Sequence, residues 1–500
     1  MNFIWETISS VGSDTQKAVK SSFWVFLFRA GTRTISLIRT VVLARLLIPR
    51  DFGVFGIAML TVSGLETVSK TGFDQALIQK HEKQETYLNA AWTMNILRGI
   101  VLTVFIFTIS PLIADFFAEP NAERYLKLLS LWFLIRGVIN IGILNYQMEL
   151  EYQKRYFLEI LASLGGLTAS VATAFVVESP LALVVGALSE SMILLLTSYI
   201  IHPYRPTLEW NFKKWKELFS FGKWVTSSSL MLFLLTEGDD VFVGKMVGAA
   251  SLGIYQLGYR ISNLPATEIM RMGNQIVFPG LSKVKDDLEK LRYSFFQAYS
   301  LISVTTFLVS CLIILLARDF THVFLGKNWD QVIPIIQILA VWGAIRALGS
   351  STNPVFMALG KPEWVTVFQA MMLGGLIVFI YPLTVGWGIQ GTSLAVVLSS
   401  LILPWFQYPK LRKILECEAW QLYRLILFPL VAASLTGISF VFIQKGIGSA
   451  ADVSLGGLLL KGALISTSYL MLIIAFSSTT LYEGWKNVKF VIRTLLSKAA

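Results

Sequence analysis

Apolar stretches about twenty residues long recur along nearly the whole chain, separated by short polar breaks. That is the spacing of helices that each cross a hydrocarbon layer roughly 30 Å thick. They predict helices over residues 22–44, 52–78, 88–112, 125–147, 156–177, 181–201, 220–244, 252–280, 293–317, 331–357, 364–384, 388–408, 423–443 and 454–477. The expected fold class is an all-α polytopic membrane protein of about fourteen transmembrane helices, arranged as two parallel six-helix lobes plus two C-terminal helices. The organisation expected is an N-terminal lobe over 1–203, an interfacial cytoplasmic linker helix over 204–219, a C-terminal lobe over 220–410, the added helices over 411–477, and a cytoplasmic amphipathic tail over 478–500. The longest hydrophilic stretch, from about His202 to Lys223, is too short to hold a soluble domain.

Two lobes follow from self-similarity at an offset of 200 residues. Arg39-Thr-Val-Val-Leu-Ala-Arg45 lies over Asp239-Asp-Val-Phe-Val-Gly-Lys245, and the register runs on through Phe52-Gly-Val-Phe55 over Leu252-Gly-Ile-Tyr255 to Asp74-Gln-Ala-Leu77 over Asn274-Gln-Ile-Val277. Six helices separate the copies, so both start on the same side of the membrane. They are therefore parallel repeats, with a substrate path expected between them. Pro265, in the middle of the predicted eighth helix, removes a backbone hydrogen bond and predicts a kink there.

Composition sharpens the picture. The 500 residues are 55% hydrophobic and 15% charged, with a mean hydropathy of +0.64, well short of the charge of a soluble globular protein. With the N-terminus cytoplasmic, 24 loop lysines and arginines fall on the cytoplasmic face and eight on the other, as the positive-inside rule requires. The net charge of +11 therefore reads as attraction to the inner leaflet and not to nucleic acid. Leu208–Phe219 and Leu481–Leu496 interleave aromatic and basic residues, the pattern of helices lying in the headgroup layer among membrane lipids. The acid-bearing N-terminal segment does not look like a cleaved signal peptide, and the first helix is expected to be retained.

Ten of the 42 basic residues belong neither to loops nor to helix ends: Arg29, Arg33, Arg39, Lys70, Arg98, Arg136, Arg260, Arg271, Arg346 and Lys461. An ionised side chain at the centre of a membrane helix costs roughly 2.5–3.5 kcal/mol on insertion scales, so each must face a wet cavity or a counter-charge. At 100° per residue, Arg29, Arg33 and Arg39 lie within an arc of about 120°, one basic stripe on the first helix. Excluding Asp74 at its helix end, seven membrane acids, Glu66, Glu159, Glu190, Glu237, Asp239, Asp240 and Glu268, stand against these ten bases. Arg98, Arg136 and Arg346 have no acid within a helical turn. The repeat register sets Arg39 opposite Asp239, which predicts an ion pair. Surplus guanidinium at mid-depth suits an anion such as a pyrophosphate, because its planar fork matches phosphate oxygens and stays charged. The bases other than Lys461 are thus the candidate substrate-binding residues. Glu66, Asp239 and Asp240 are candidates for ion coupling, since a carboxyl in such a place can exchange a proton as access alternates.

Other patterns carry no chemistry. Gly386-Trp-Gly-Ile-Gln-Gly391 fits a dinucleotide fingerprint but sits in a turn between two membrane helices, with no βαβ unit around it. His81, His202 and His322 lack metal-ligand spacing, and the two cysteines, Cys311 and Cys417, do not make a disulfide framework. No Walker A sequence is present, and no cofactor is expected.

Around Ala44-Arg-Leu-Leu-Ile-Pro-Arg-Asp-Phe-Gly-Val-Phe-Gly-Ile-Ala58, and again over Gly244–Ile261, the chain resembles the bacterial surface-polysaccharide repeat-unit flippases of the multidrug/oligosaccharidyl-lipid/polysaccharide exporter superfamily, most of all the colanic-acid type. The resemblance implies a two-lobe fold in the bacterial inner membrane and an undecaprenyl-pyrophosphate-linked oligosaccharide as cargo. It also implies alternating access driven by H⁺ or Na⁺ and work beside the polysaccharide polymerase machinery. By helix position its basic cavity corresponds to Arg29, Arg33, Arg39, Lys70 and Arg260. The competing readings are a drug or peptidoglycan-precursor exporter of the same fold and, from a different class, a membrane polymerase or ligase. Short outer loops disfavour the enzyme.

Overall fold

The computed structural model describes residues 31–69, 85–148, 152–272, 277–447 and 454–478. Among the described residues there are helices and turns and no strand, as expected where hydrocarbon offers no partner for an open sheet edge. Arg29, Lys70, the Asp74/Asn274 end of the repeat and the amphipathic tail lie outside the described residues, as does the side chain of Arg271.

The chain divides into two compact units, Asn2–Gly253 and Ile254–Ala500. The first contains α1 (31–46), α2 (Pro49–Ser69), α3 (Glu85–Phe116), α4 (Asn121–Gly137), the short α5 (Ile143–Met148), α6 (Tyr152–Val176), α7 (Leu181–Ile201) and α8 (Phe212–Met246). The helix α9 (Ala249–Met272) begins in the first unit and runs without a break past Pro265 in the second. The second unit continues with α10 (Phe278–Lys283), α11 (Leu288–Phe320), α12 (Val332–Ser350), α13 (Asn353–Ala358), α14 (Pro362–Leu415), α15 (Ala419–Ile447) and α16 (Leu455–Ser478). The units part after α8 and not at residue 203, because α8 lies along α2, where the Phe233 ring sits against Gly64.

Nine described helical stretches are long and apolar enough to cross a membrane. The longest, Pro362–Leu415, is two helices joined at Trp387 and Gly388, whose φ of 57° is tolerated by glycine, so the glycine-rich stretch is a turn between helices. The helices α4, α8 and α9 fall outside the nine; they carry Arg136, the Glu237–Asp240 acids and Arg260. The helix α4 is only 17 residues long, and polar and charged residues lower the hydropathy of α8 and α9.

The helix expected over 125–147 is broken after Gly137. Asn140 holds the break: its Oδ1 accepts from the Gly142 N–H at 2.9 Å, and its Nδ2 donates to the Tyr204 carbonyl at 2.7 Å. Of the linker helix expected over 204–219, residues 204–211 are not helical and 212–219 are the first part of α8, started by Asn211, whose side chain accepts from the Lys214 N–H. The carboxylate of Asp287 caps α11 in the same way, accepting from Lys290 N–H at 3.1 Å.

Small residues set the helix crossings, as is usual where lipid supplies no hydrophobic drive between helices. A methyl group on Gly53 would strike the Ala249 carbonyl, and one on Gly253 would strike the Pro49 carbonyl. The contact is reciprocal, each copy offering the other the same residue position at the repeat offset of 200. Serine and threonine hydroxyls within the helices bond back to carbonyls a turn earlier, as Thr40 does to Ser36 at 2.9 Å. Phe175, Val176, Ile200, Trp405 and Phe442 are exposed on outer helix faces, where lipid would cover them.

In the second unit the core gathers Phe295, Tyr299, Phe356, Leu411 and Tyr469. Tyr299 and Tyr408 share a hydroxyl–hydroxyl hydrogen bond of 2.9 Å, and the Tyr469 hydroxyl donates to the Val304 carbonyl at 3.0 Å. The helices α15 and α16, which have no counterpart in the duplication, pack on α11. A buried ion pair fastens them: Lys461 Nζ lies 2.9 Å from Asp319 Oδ2, with the two side chains 13% and 10% exposed.

Candidate functional site

The first unit brings the charges of six helices together. Two close crossings make this possible. At one, α3 and α4 meet where Gly99 lies under the Phe133 carbonyl and Gly137 under the Asn95 carbonyl; a methyl on either glycine would come within 2.6 or 2.7 Å of that oxygen. Each glycine directly follows an arginine, Arg98 and Arg136, so the crossing draws the two guanidinium groups into one neighbourhood. At the other, α6 and α7 meet at Gly166 and Gly186, and a methyl on Gly166 would lie 2.9 Å from Glu190 Cβ.

Arg39 on α1 donates to Glu190 Oε2 on α7 at 2.7 Å. The ion pair expected between Arg39 and Asp239 is not formed, because Glu190 takes this guanidinium. Arg98 on α3 reaches Glu66 of α2 at 3.1 and 3.3 Å through Nη2, while its buried Nε has no partner among the described residues. Arg155 and Glu159 pair at 3.3 Å on α6. Arg136 on α4 lies within electrostatic reach of Glu66, Glu190, Glu159 and Arg98 but forms no ion pair with any of them. Its guanidinium rests over the Trp132 ring, 4.6 Å from the centroid. Among the described residues, four arginines thus share three glutamates, a formal surplus of one positive charge. Arg33 is half-buried on α1, while Asp239 and Asp240 are buried in α8, 3% and 8% exposed.

The second unit holds Arg346 on α12. Its Nη1 donates to Asn263 Oδ1 at 3.0 Å and approaches the Tyr259 hydroxyl at 3.5 Å, with no carboxylate in the set. The guanidinium lies 5.0 Å from the centre of the Trp342 ring, which packs in turn on Tyr259 at 4.9 Å. Arg260 on α9 is exposed, and Glu268 on the same helix is half-buried. Among the described residues no group of three or more His, Cys, Asp or Glu side chains could hold a metal ion.

Glu190 and Glu159 stand out in the sequence only as acids within helices. Their partnership with arginine depends on helix crossings that no local pattern reveals. The tryptophan brace was legible in principle, since Trp132 and Trp342 each precede an arginine by four residues, one helical turn.

Comparison with known proteins places this architecture. Residues 42–334 match the sequence family described as "Polysaccharide biosynthesis protein". The lipopolysaccharide biosynthesis protein WzxC of Escherichia coli K12 is 27% identical over 350 residues, covering 70% of this chain and 71% of the relative. Among solved structures, the lipid II flippase MurJ in an inward closed conformation superposes with a TM-score of 0.72 at 14% identity, over 92% of this chain and 99% of that one. An inward-facing multidrug resistance MATE transporter of the MOP superfamily gives a TM-score of 0.61 at 16% identity, over 77% and 94%. Those two likenesses fix the fold, which flippases and drug exporters share. The sequence match, extending over more than half of the chain, makes this protein a member of the polysaccharide biosynthesis protein family.

Proposed function

We propose that the protein is a flippase that carries a lipid-linked oligosaccharide from the inner to the outer leaflet of the cytoplasmic membrane for surface polysaccharide synthesis. The observation that carries this reading is the surplus of arginine over glutamate inside a helical unit whose sequence relatives serve polysaccharide synthesis. A charged, hydrogen-bonding cluster at that depth is costly unless it meets an anionic, polar headgroup. The phosphate ligands in the first unit are the guanidinium groups of Arg29, Arg33, Arg39, Arg98 and Arg136 and the ammonium of Lys70, and in the second unit the guanidinium groups of Arg260, Arg271 and Arg346, while the isoprenoid tail stays in lipid.

An H⁺ or Na⁺ gradient drives the cycle. Glu66 suits the coupling role because it holds Arg98: a proton on Glu66 would release that guanidinium toward the substrate. Asp239 and Asp240, buried in α8, are the other coupling groups. Both termini are cytoplasmic, and the product passes to the polymerase machinery on the outer face. The MATE likeness keeps a drug exporter as the second reading.

Proteoliposomes loaded with a fluorescent lipid-linked glycan decide the matter. Wild-type protein should move the label between leaflets without altering its covalent structure, and Arg98→Ala should slow this with insertion unchanged. A label that stays put, or efflux of cationic drugs in its place, overturns the reading; a covalently changed glycan points to the enzyme.

A further inference from the structure

The second half of the duplication carries a signature that an offset of 200 does not show. At an offset of 210, Trp132-Phe-Leu-Ile-Arg136 of α4 lies over Trp342-Gly-Ala-Ile-Arg346 of α12. The tryptophan, isoleucine and arginine are identical. Burial follows the same register: every buried position of α4 has its counterpart buried in α12, among them Leu126 with Ile336, Leu129 with Leu339, and Gly137 with Ala347. The two helices therefore present the same face to their own units, and Arg136 and Arg346 are equivalent positions.

They are also alike in how they are held. Each guanidinium lies on the tryptophan one turn earlier, at 4.6 and 5.0 Å from the ring centre, and neither is ion-paired among the described residues. Arg39, Arg98 and Lys461 contrast with them, each tied to a carboxylate. A salt bridge fixes a guanidinium and spends its charge. An aromatic face restrains the same group and leaves both its charge and its in-plane N–H donors available. A guanidinium without an ion-pair partner within a membrane helix is unfavourable, and here one stands at the same register in both copies.

We propose that Arg136 and Arg346 are repeat-equivalent oxyanion ligands, each offered within its own unit to the phosphates of an isoprenoid diphosphate headgroup, and that Trp132 and Trp342 preset them. Arg39 and Arg98, each tied to a glutamate here, reach the headgroup only when that carboxylate lets go. The inference rests on the flippase reading and deepens it by separating arginines that are preset for phosphate from those that must first be released.

The test uses the full-length purified protein in nanodiscs and two fluorescent probes, an isoprenoid diphosphate without sugar and the matching isoprenoid alcohol. Wild-type protein should prefer the diphosphate. Arg136→Gln and Arg346→Gln should each weaken diphosphate binding about tenfold or more, with alcohol binding unchanged. Trp132→Leu and Trp342→Leu, which keep the charge and lose the brace, should weaken it about fivefold. Should a glutamine variant not fold, Arg136→Lys or Arg346→Lys replaces it, with an intermediate loss expected because an ammonium cannot form the fork. Wild-type diphosphate affinity in the folded Arg136 and Arg346 variants overturns this assignment and leaves the flippase reading intact. A wild-type protein that does not distinguish diphosphate from alcohol overturns both.

Discussion

Arg39 and Glu190 are joined across 151 residues of sequence, and what each loses without the other can be measured. Removing one partner of a buried pair leaves an uncompensated charge; here both side chains are about a quarter to a third exposed, so water relieves part of the cost. Glu190→Gln should therefore lower stability by about 1–2 kcal/mol in a detergent unfolding assay. Adding Arg39→Gln should recover most of it. A second residue-scale outcome concerns Cys417, in the loop after α14, where burial pushes the thiol above its ordinary range. The thiolate is thus scarce at neutral pH, and maleimide labelling should be slow there and quicken as pH rises through the alkaline range. The thiol form that the fold favours persists below the ordinary thiol pKa, and the corresponding contribution to stability fades above it. Single-residue chemistry of this kind was only half legible in the sequence. The acids and bases could be counted, but which glutamate faces which arginine is decided by crossings between distant helices.

Helix crossings are most sensitive at their glycines. Gly166→Ala would push a methyl to 2.9 Å from Glu190 Cβ and 3.0 Å from the Gly186 carbonyl, forcing α6 and α7 apart and stretching the Arg39 pair. Overpacking of this sort costs about 1–3 kcal/mol, and a lowered unfolding temperature in detergent would register it. Gly280→Ala, in α10, meets open space and serves as the neutral control. At this scale the sequence served well: the helices at 156–177, 181–201, 423–443 and 454–477 lie where hydropathy put them, to within a few residues. Expectation failed at the break after Gly137, because Asn140 satisfies a turn through Tyr204, sixty-four residues away. The linker, read as a helix lying apart in the headgroup layer, is continuous with α8, since no glycine or proline interrupts 212–220.

Across the whole molecule, the two added helices are held by more than apolar packing. Lys461→Met should leave Asp319 charged and buried in the second unit, costing about 3 kcal/mol and reducing the folded yield in membranes. Lys461→Met with Asp319→Asn should restore the yield. Orientation is equally open to test: Lys327→Cys should react with an impermeant maleimide in right-side-out vesicles, and Lys361→Cys only in inside-out ones. The architecture was readable because hydropathy and the self-similar register survive where individual contacts do not. The meeting of Gly53 with Gly253 carries that ancestry further. Each glycine is the berth for the other copy's main chain, so neither could be exchanged first without the partner running aground. Two stretches at one repeat register, free to drift elsewhere, stay locked at this spot, and exchange should be tolerated least there.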